Sequence, residues 1–204
     1  MNKKDTPTLI FVALALFVAL GIGSSFFGSE KVPDGTVPLK PPVIGGPFEL
    51  VDHTSRTVTD KDFHSKYLLI YFGYIYCPDV CSTAVITISD ALDILGPDMA
   101  NKITPVFVSV DHERDTPESL REYVGQFSPR FVGMTGTKKQ ISQVAKAYNV
   151  YFAKSEEPGG NAENYFMDHS AITYLMGPDG KFIRHFPYGI DPKIMAEQIK
   201  KILG

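Results

Sequence analysis

The chain has 204 residues, room for one domain of about 150–180 residues plus an appendage. Hydrophobic residues make up 44% and charged residues 21%, which excludes a disordered chain, and a formal net charge of −3 leaves no basic excess for a dedicated nucleic-acid binder. The two cysteines, Cys77 and Cys81, are too few for a disulfide-rich scaffold, a four-cysteine zinc site or an iron–sulfur cluster held by four thiolates of this chain.

No charged residue lies between Pro7 and Ser29, and Thr8–Phe27 is almost wholly apolar. As a helix, these residues span roughly 30 Å, the thickness of a hydrocarbon core. Lys3 and Lys4 precede the stretch, while Glu30, Lys31 and Asp34 follow it. The positive-inside tendency then puts residues 1–7 in the cytoplasm and everything after residue 30 outside. We read residues 8–27 as an uncleaved transmembrane anchor. Its rival is a cleaved signal peptide with Gly21-Ile22-Gly23 as cleavage site, but Phe26 and Phe27 carry the apolar run past that point. Residues 28–47 contain Pro33, Pro38, Pro41, Pro42 and Gly45-Gly46-Pro47, which predicts an extended tether to a domain over 48–204.

Within the domain, Phe48–Asp52 and Arg56–Thr59 predict a hairpin around His53-Thr54-Ser55. Tyr67–Phe72 is a continuous apolar run suited to a central strand buried on both faces. From Ser82 to Leu95, Val85, Ile86, Ile88, Leu92 and Leu95 recur at helical spacing until Gly96-Pro97 stops the segment. Ile103–Val110 predicts a strand, and Thr116-Pro117 a capped helix start running to about Phe127. Lys138–Tyr148 predicts another helix. Ala171–Met176 and Lys181–Pro187 predict strands joined by the turn Gly177-Pro178-Asp179-Gly180. Pro192–Leu203 predicts a terminal helix with Ile194, Met195, Ile199 and Ile202 inward. This order fits an α/β sheet with helices on both faces and a site just after the carboxyl end of a central strand.

Cys77 and Cys81 fall in that place, in a loop that opens a helix. Were Pro78-Asp79-Val80-Cys81 its first turn, the two side chains would be i and i+4 neighbours on one face. Free N–H groups and the positive end of the dipole would then favour thiolates. Three readings compete. A structural disulfide closes a loop of about five residues and gives roughly 2 kcal/mol, against about 4.7 for a 100-residue loop. A redox dithiol has three intervening residues where exchange motifs prefer two. A metal site has two soft thiolates, which select monovalent copper over hard cations and need one further donor, most often histidine. His53, His64, His112, His169 and His185 are available, and spacing alone does not choose among them. Of the aromatics Tyr67, Tyr71, Phe72, Tyr74 and Tyr76, alternate members are expected in the core and the rest over the loop.

Several separated motifs resemble the Sco/SenC family of copper-binding assembly proteins. They are Ile44-Gly45-Gly46-Pro47-Phe48, Tyr71-Phe72-Gly73-Tyr74 with Cys77-Pro78-Asp79-Val80-Cys81, Val110–Pro117, Asp168-His169-Ser170, and Gly177–Gly180. The resemblance covers residues 44–204. It implies a thioredoxin-like fold, a copper ion bound by Cys77, Cys81 and His169, and a role in assembling the dinuclear copper centre of cytochrome c oxidase. It implies as partners the copper-bearing oxidase subunit and other copper carriers or thiol oxidoreductases. It also suggests Asp168 and Asp79 as carboxylates that support the site or its docking surface. The family often has Thr-His where Ile75-Tyr76 stands, Pro where Ser82 stands, and Pro where His112 stands. These departures bear on affinity and partner choice and remove no proposed ligand.

On this reading the chain is a copper chaperone rather than an enzyme. His169 follows Val150–Asp168, a stretch with Glu156, Glu157, Pro158, Gly159 and Gly160 that predicts a mobile arm. The rival is a membrane-tethered thiol–disulfide reductase using Cys77 as attacking and Cys81 as resolving thiol. A peroxidase fits less well, because Tyr74 stands where peroxiredoxins carry Thr. The expected location is a bacterial inner membrane with the domain in the periplasm, the alternative being the mitochondrial inner membrane facing the intermembrane space.

Overall fold

The computed structural model describes residues 43–155 and 165–204. The predicted anchor over 8–27, most of the tether and residues 156–164 lie outside the described residues. Among the described residues, no helix is long and apolar enough to cross a membrane.

The opening hairpin forms from β1 (Glu49–Asp52) and β2 (Thr57–Thr59). The next two strands, β3 (Tyr67–Gly73) and β4 (Ile103–Ser109), are buried along almost their whole length, as continuous apolar runs require. Then come β5 (Val132–Thr135), β6 (Phe152–Ser155), β7 (Phe166–His169), β8 (Ile172–Met176) and β9 (Phe182–Pro187). Among the described residues, seven strands form one sheet in the order β2-β1-β5-β4-β3-β8-β9, whereas β6 and β7 pair with each other as a separate antiparallel ribbon. β3 runs parallel to β4 and antiparallel to β8.

Among the described residues, five α-helices accompany the strands: α1 (Val80–Leu95), α2 (Pro97–Ala100), α3 (Pro117–Gly125), α4 (Lys138–Ala147) and α5 (Pro192–Leu203). Their starts follow from local chemistry. Thr116 and Thr137 accept the N–H groups of Ser119 and Gln140 as N-caps, and Asp191 caps α5. Gly96, with φ of 75°, ends α1 in a conformation that favours glycine. Strand alternation sorts the core into two faces. Tyr71 packs on Phe107 and through it on Tyr123 of α3, on the side that also holds α1 and α5. Phe72 points the other way, onto Tyr148 at the end of α4 and onto Tyr174. This is the mixed α/β architecture the sequence predicts.

Three expectations need correcting. Ile194 and Ile86 are each 48% exposed, because α5 turns Met195, Ala196 and Ile199 inward and α1 turns Val85, Ile88 and Leu92 inward. β5 was not foreseen from its four residues, two of which are Gly133 and Thr135. Both ends of the predicted arm 150–168 are strands, since Phe152↔His169 and Ser155↔Phe166 are paired.

Asp52 fixes the first turn. It is 1% exposed and accepts from the Thr54 N–H and hydroxyl, the Arg56 N–H and the Arg56 guanidinium. Burial alone would raise its carboxyl, but these hydrogen bonds outweigh it and hold the group at about 2. A depressed carboxylate adds stability that is present above its unfolded value near 3.8 and lost as pH falls through about 2. Asp52→Asn is therefore expected to cost about 1–3 kcal/mol at pH 7 in urea unfolding. The gap to wild type should narrow between pH 4 and pH 2.

Candidate metal centre

The parallel register of β3 and β4 sets the site. Tyr67 pairs with Ile103 and Gly73 with Ser109, so both strands end at one level and their following loops leave the same edge. β8 is antiparallel to β3, with Tyr71 opposite Thr173, so the residues just before β8 arrive at that edge too. Cys77 comes from the first loop, Cys81 from the first turn of the helix α1 that follows it, and His169 from β7.

Their ligand atoms all lie within 4.8 Å of one another. The Cys81 sulfur is 3.3 Å from His169 Nε2, and His169 Nδ1 faces the Ser170 carbonyl oxygen at 3.4 Å, so Nε2 is the nitrogen presented to the sulfurs. Cys81 is fully buried; Cys77 and His169 are half-buried; both cysteines are free thiols. The imidazole is gripped edge-on by Tyr71 and Tyr74, with centroids 6.0 and 5.8 Å away and planes near perpendicular. Both tyrosines belong to the core, whereas Tyr76 is 61% exposed beside Cys77.

α1 begins at Val80, with Asp79 as N-cap, so Cys77 stands outside the helix and the expected i, i+4 helical pair does not form. The anion-stabilising arrangement survives in another form. The Cys81 thiol donates to Cys77, and despite burial this, with His169 and the Asp79 and Cys81 N–H groups, holds the Cys77 thiol well below the ordinary range. Hydrogen bonding to Cys77, and next burial, push Cys81 far above that range. The pair is thus asymmetric, with an accessible thiolate at Cys77 and a buried protonated partner at Cys81.

Two residues to which the sequence reading gave no role build this loop. A Cβ on Gly73 would lie 2.7 Å from the Cys81 sulfur and 3.0 Å from the rings of Tyr71 and Phe107, so only glycine lets the sulfur sit against the strand end. Asp115, buried at the far end of the β4 loop, accepts from the Ser109 hydroxyl at 2.6 Å and from the Ile75 N–H at 3.0 Å. It ties the second loop to the backbone just before Cys77. A glycine ending an apolar run ahead of Cys-x-x-x-Cys was a visible signal for the first; the second depends on tertiary pairing.

The remaining candidates are placed elsewhere. His53 accepts the Gly133 N–H, His64 lies 3.7 Å from Asp60, and His185 stacks on Phe182. His112 is half-buried in the β4 loop and does not join the ligand group. Asp79 is exposed at the α1 start, where its carboxylate accepts from Thr83. Asp168 is exposed, and strand alternation sets it on the opposite face of β7 from His169. Among the described residues, Cys77, Cys81 and His169 form the one cluster able to hold a metal ion. Two sulfurs and one imidazole nitrogen suit a soft cation.

The SCO1/SenC family model matches residues 37–204. The mitochondrial SCO1 homolog of Homo sapiens is 47% identical over 150 residues, covering 71% of this chain and 48% of that protein. The chain thus spans about half the length of this relative. Protein SenC of Rhodobacter capsulatus is 42% identical over 208 residues, covering 98% of this chain and 91% of that one. Among solved structures, Bradyrhizobium japonicum ScoI with copper bound superposes with a TM-score of 0.70 at 41% identity, over 78% of this chain and 98% of that chain.

Two outcomes follow from this geometry. Gly73→Ala is expected to destabilise the chain by about 1–3 kcal/mol in denaturant unfolding, through overpacking against the Cys81 sulfur. In alkylation mapped by mass spectrometry, Cys77 is expected to react before Cys81. Its rate should fall less than about tenfold between pH 8 and pH 6, where an unperturbed thiol would lose about 80-fold.

Proposed function

The chain belongs to the SCO1/SenC family, and from that premise we propose that Cys77, Cys81 and His169 bind one copper ion for delivery to the copper-bearing subunit of cytochrome c oxidase. The observation that carries the copper assignment is the convergence of two sulfurs and one imidazole within 4.8 Å. That donor set fits monovalent copper, and a solved relative 41% identical to this chain has copper bound. Delivery to the oxidase is what the family resemblance implies. Copper is the cargo. The chain supplies three donors, keeps them close, and shields them with Tyr71 and Tyr74. The exposed Tyr76 and the half-buried Cys77 leave one side of the site open to a partner's ligands. In this proposal residues 8–27 anchor the chain in a bacterial inner membrane, residues 28–47 tether it, and the domain over 48–204 faces the periplasm; the charge pattern around the apolar stretch supports this. The mitochondrial inner membrane is the alternative. Asp79, exposed at the start of α1, and Asp168, exposed on the face of β7 opposite His169, belong to the docking surface in this reading.

The cysteine asymmetry favours a second reading, thiol–disulfide reduction. Cys77 thiolate would attack one sulfur of a partner disulfide, forming a mixed disulfide and releasing the partner's other sulfur as a thiolate; Cys81, on losing its proton, would then attack the Cys77 sulfur and release the first. Two electrons pass to the partner, its two thiolates take up the Cys81 proton and one from water, and this chain is left with a Cys77–Cys81 disulfide. The same oxidation would remove two of the three copper donors, so metal transfer and thiol state are linked whichever task is primary.

The test is metal analysis of the reduced chain alongside Cys77→Ala and His169→Ala. One copper per wild-type chain, lost in both variants, is the expected result; a reduced wild type that takes up none overturns the copper proposal. His169→Ala is expected to retain dithiol exchange, so an in vivo oxidase-assembly defect in that variant favours the carrier over the reductase.

A further inference from the structure

The motif Val110–Pro117 leaves one strongly built feature that copper ligation does not use. His169 sits on the β6–β7 ribbon, which shares no ladder with the seven-stranded sheet, and a two-stranded ribbon by itself is marginal in water. The short step from His169 into β8 and the packing of Tyr71 and Tyr74 fix the imidazole end of the ribbon, and contacts from the second loop hold its other end. Tyr165, at the foot of β7, donates its hydroxyl to Asp111 Oδ1 at 2.7 Å. Asp111 Oδ2 accepts from Arg114 Nε, and the Arg114 guanidinium lies 3.6 Å over the Tyr165 ring. The same guanidinium lies 5.0 Å from the Tyr76 ring centroid, next to Cys77, and 5.9 Å from that of Tyr74, which packs edge-on against His169. One side chain therefore touches the cysteine loop and the histidine ribbon together.

We propose that Arg114, held by Asp111, is the positioning residue that docks the His169 ribbon onto the cysteine loop and so determines whether the site has three donors or two. The proposal rests on the copper site described above. Asp111 and Arg114 side chains are 1% and 17% exposed, so their pairing is sheltered from water. Lys154–Glu113, a further link between the ribbon and the loop after β4, is nearly half exposed on both sides, and such pairs contribute little. Only a planar guanidinium stacks on an aromatic face while donating in its own plane to a carboxylate, and lysine cannot do both. Loss of Arg114 then frees the ribbon and withdraws His169, while Cys77 and Cys81 stay in place on the sheet edge and α1.

The test uses the full chain with thiols reduced, in wild type, Arg114→Lys, Tyr165→Phe, His169→Ala and the Arg114→Lys/His169→Ala double variant. Copper(I) affinity is read by competition with a chromogenic chelator, and amide hydrogen exchange is read on the metal-free chain. Arg114→Lys is expected to weaken copper by about 10–100-fold, the span typical for groups that orient a ligand. Tyr165→Phe, which keeps the ring and loses the hydroxyl, should weaken it less. The double variant should bind no more weakly than His169→Ala alone. Amides over 152–155 and 166–169 should exchange faster in Arg114→Lys, with α1 and α5 unchanged. Unaltered affinity, or an equal loss in the His169→Ala background, overturns the proposal, since Arg114 would then act through the cysteines or the whole fold. Should wild type take up no copper, the copper proposal fails by itself, and the exchange comparison decides the docking: faster ribbon exchange upholds it and unchanged exchange overturns it.

Discussion

The parallel pairing of β3 with β4 ends two buried strands at one level, and the chemistry is built on that shared edge. Seven residues of each strand are in register, so the loop after Gly73 and the loop after Ser109 must emerge side by side. Asp115 joins them through the Ile75 N–H and the Ser109 hydroxyl. The absence of a side chain at Gly73 lets the Cys81 sulfur rest against the strand end. A sulfur held this way is buried and fixed, which is why its neighbour Cys77, more open and surrounded by hydrogen-bond donors, carries the anionic character.

The third donor is held by a different kind of structure. The sheet fixes the cysteine loop rigidly, but His169 belongs to a ribbon that shares no ladder with the sheet and joins it through the short link to β8. This division fits the proposed copper carrier. Donors on the sheet keep their geometry, while a donor on a docked ribbon can be released without disturbing the core. The tyrosines that grip the imidazole come from the sheet and its first loop, so the ring meets a preformed slot. In such a slot the aromatic rings shield the imidazole from water.

Much of this was legible in the residues. The continuous apolar runs 67–72 and 103–110 announced central strands, because a strand covered on both faces has no polar alternation to preserve. Thr116-Pro117 and Pro192 marked helix starts through local capping chemistry that needs no tertiary partner. The ribbon was not legible. β6 and β7 each have four residues, and their pairing joins Phe152 to His169 across an intervening stretch rich in glutamate and glycine. β5 is not legible for a similar reason, since its strand character comes from the neighbours β1 and β4.

The sequence by itself determined the two thiols, their place after a central strand, and, through family motifs, the histidine to pair with them. Residue order carries these because they are local: an apolar run, a glycine, a spacing of four. Tertiary structure alone decided that Cys77 lies outside α1, that Asp168 faces away from His169, and that Arg114 lies between ribbon and loop. Those facts depend on strand parity and on contacts between segments about 50 residues apart, such as Asp111 with Tyr165, and no local pattern encodes such distances.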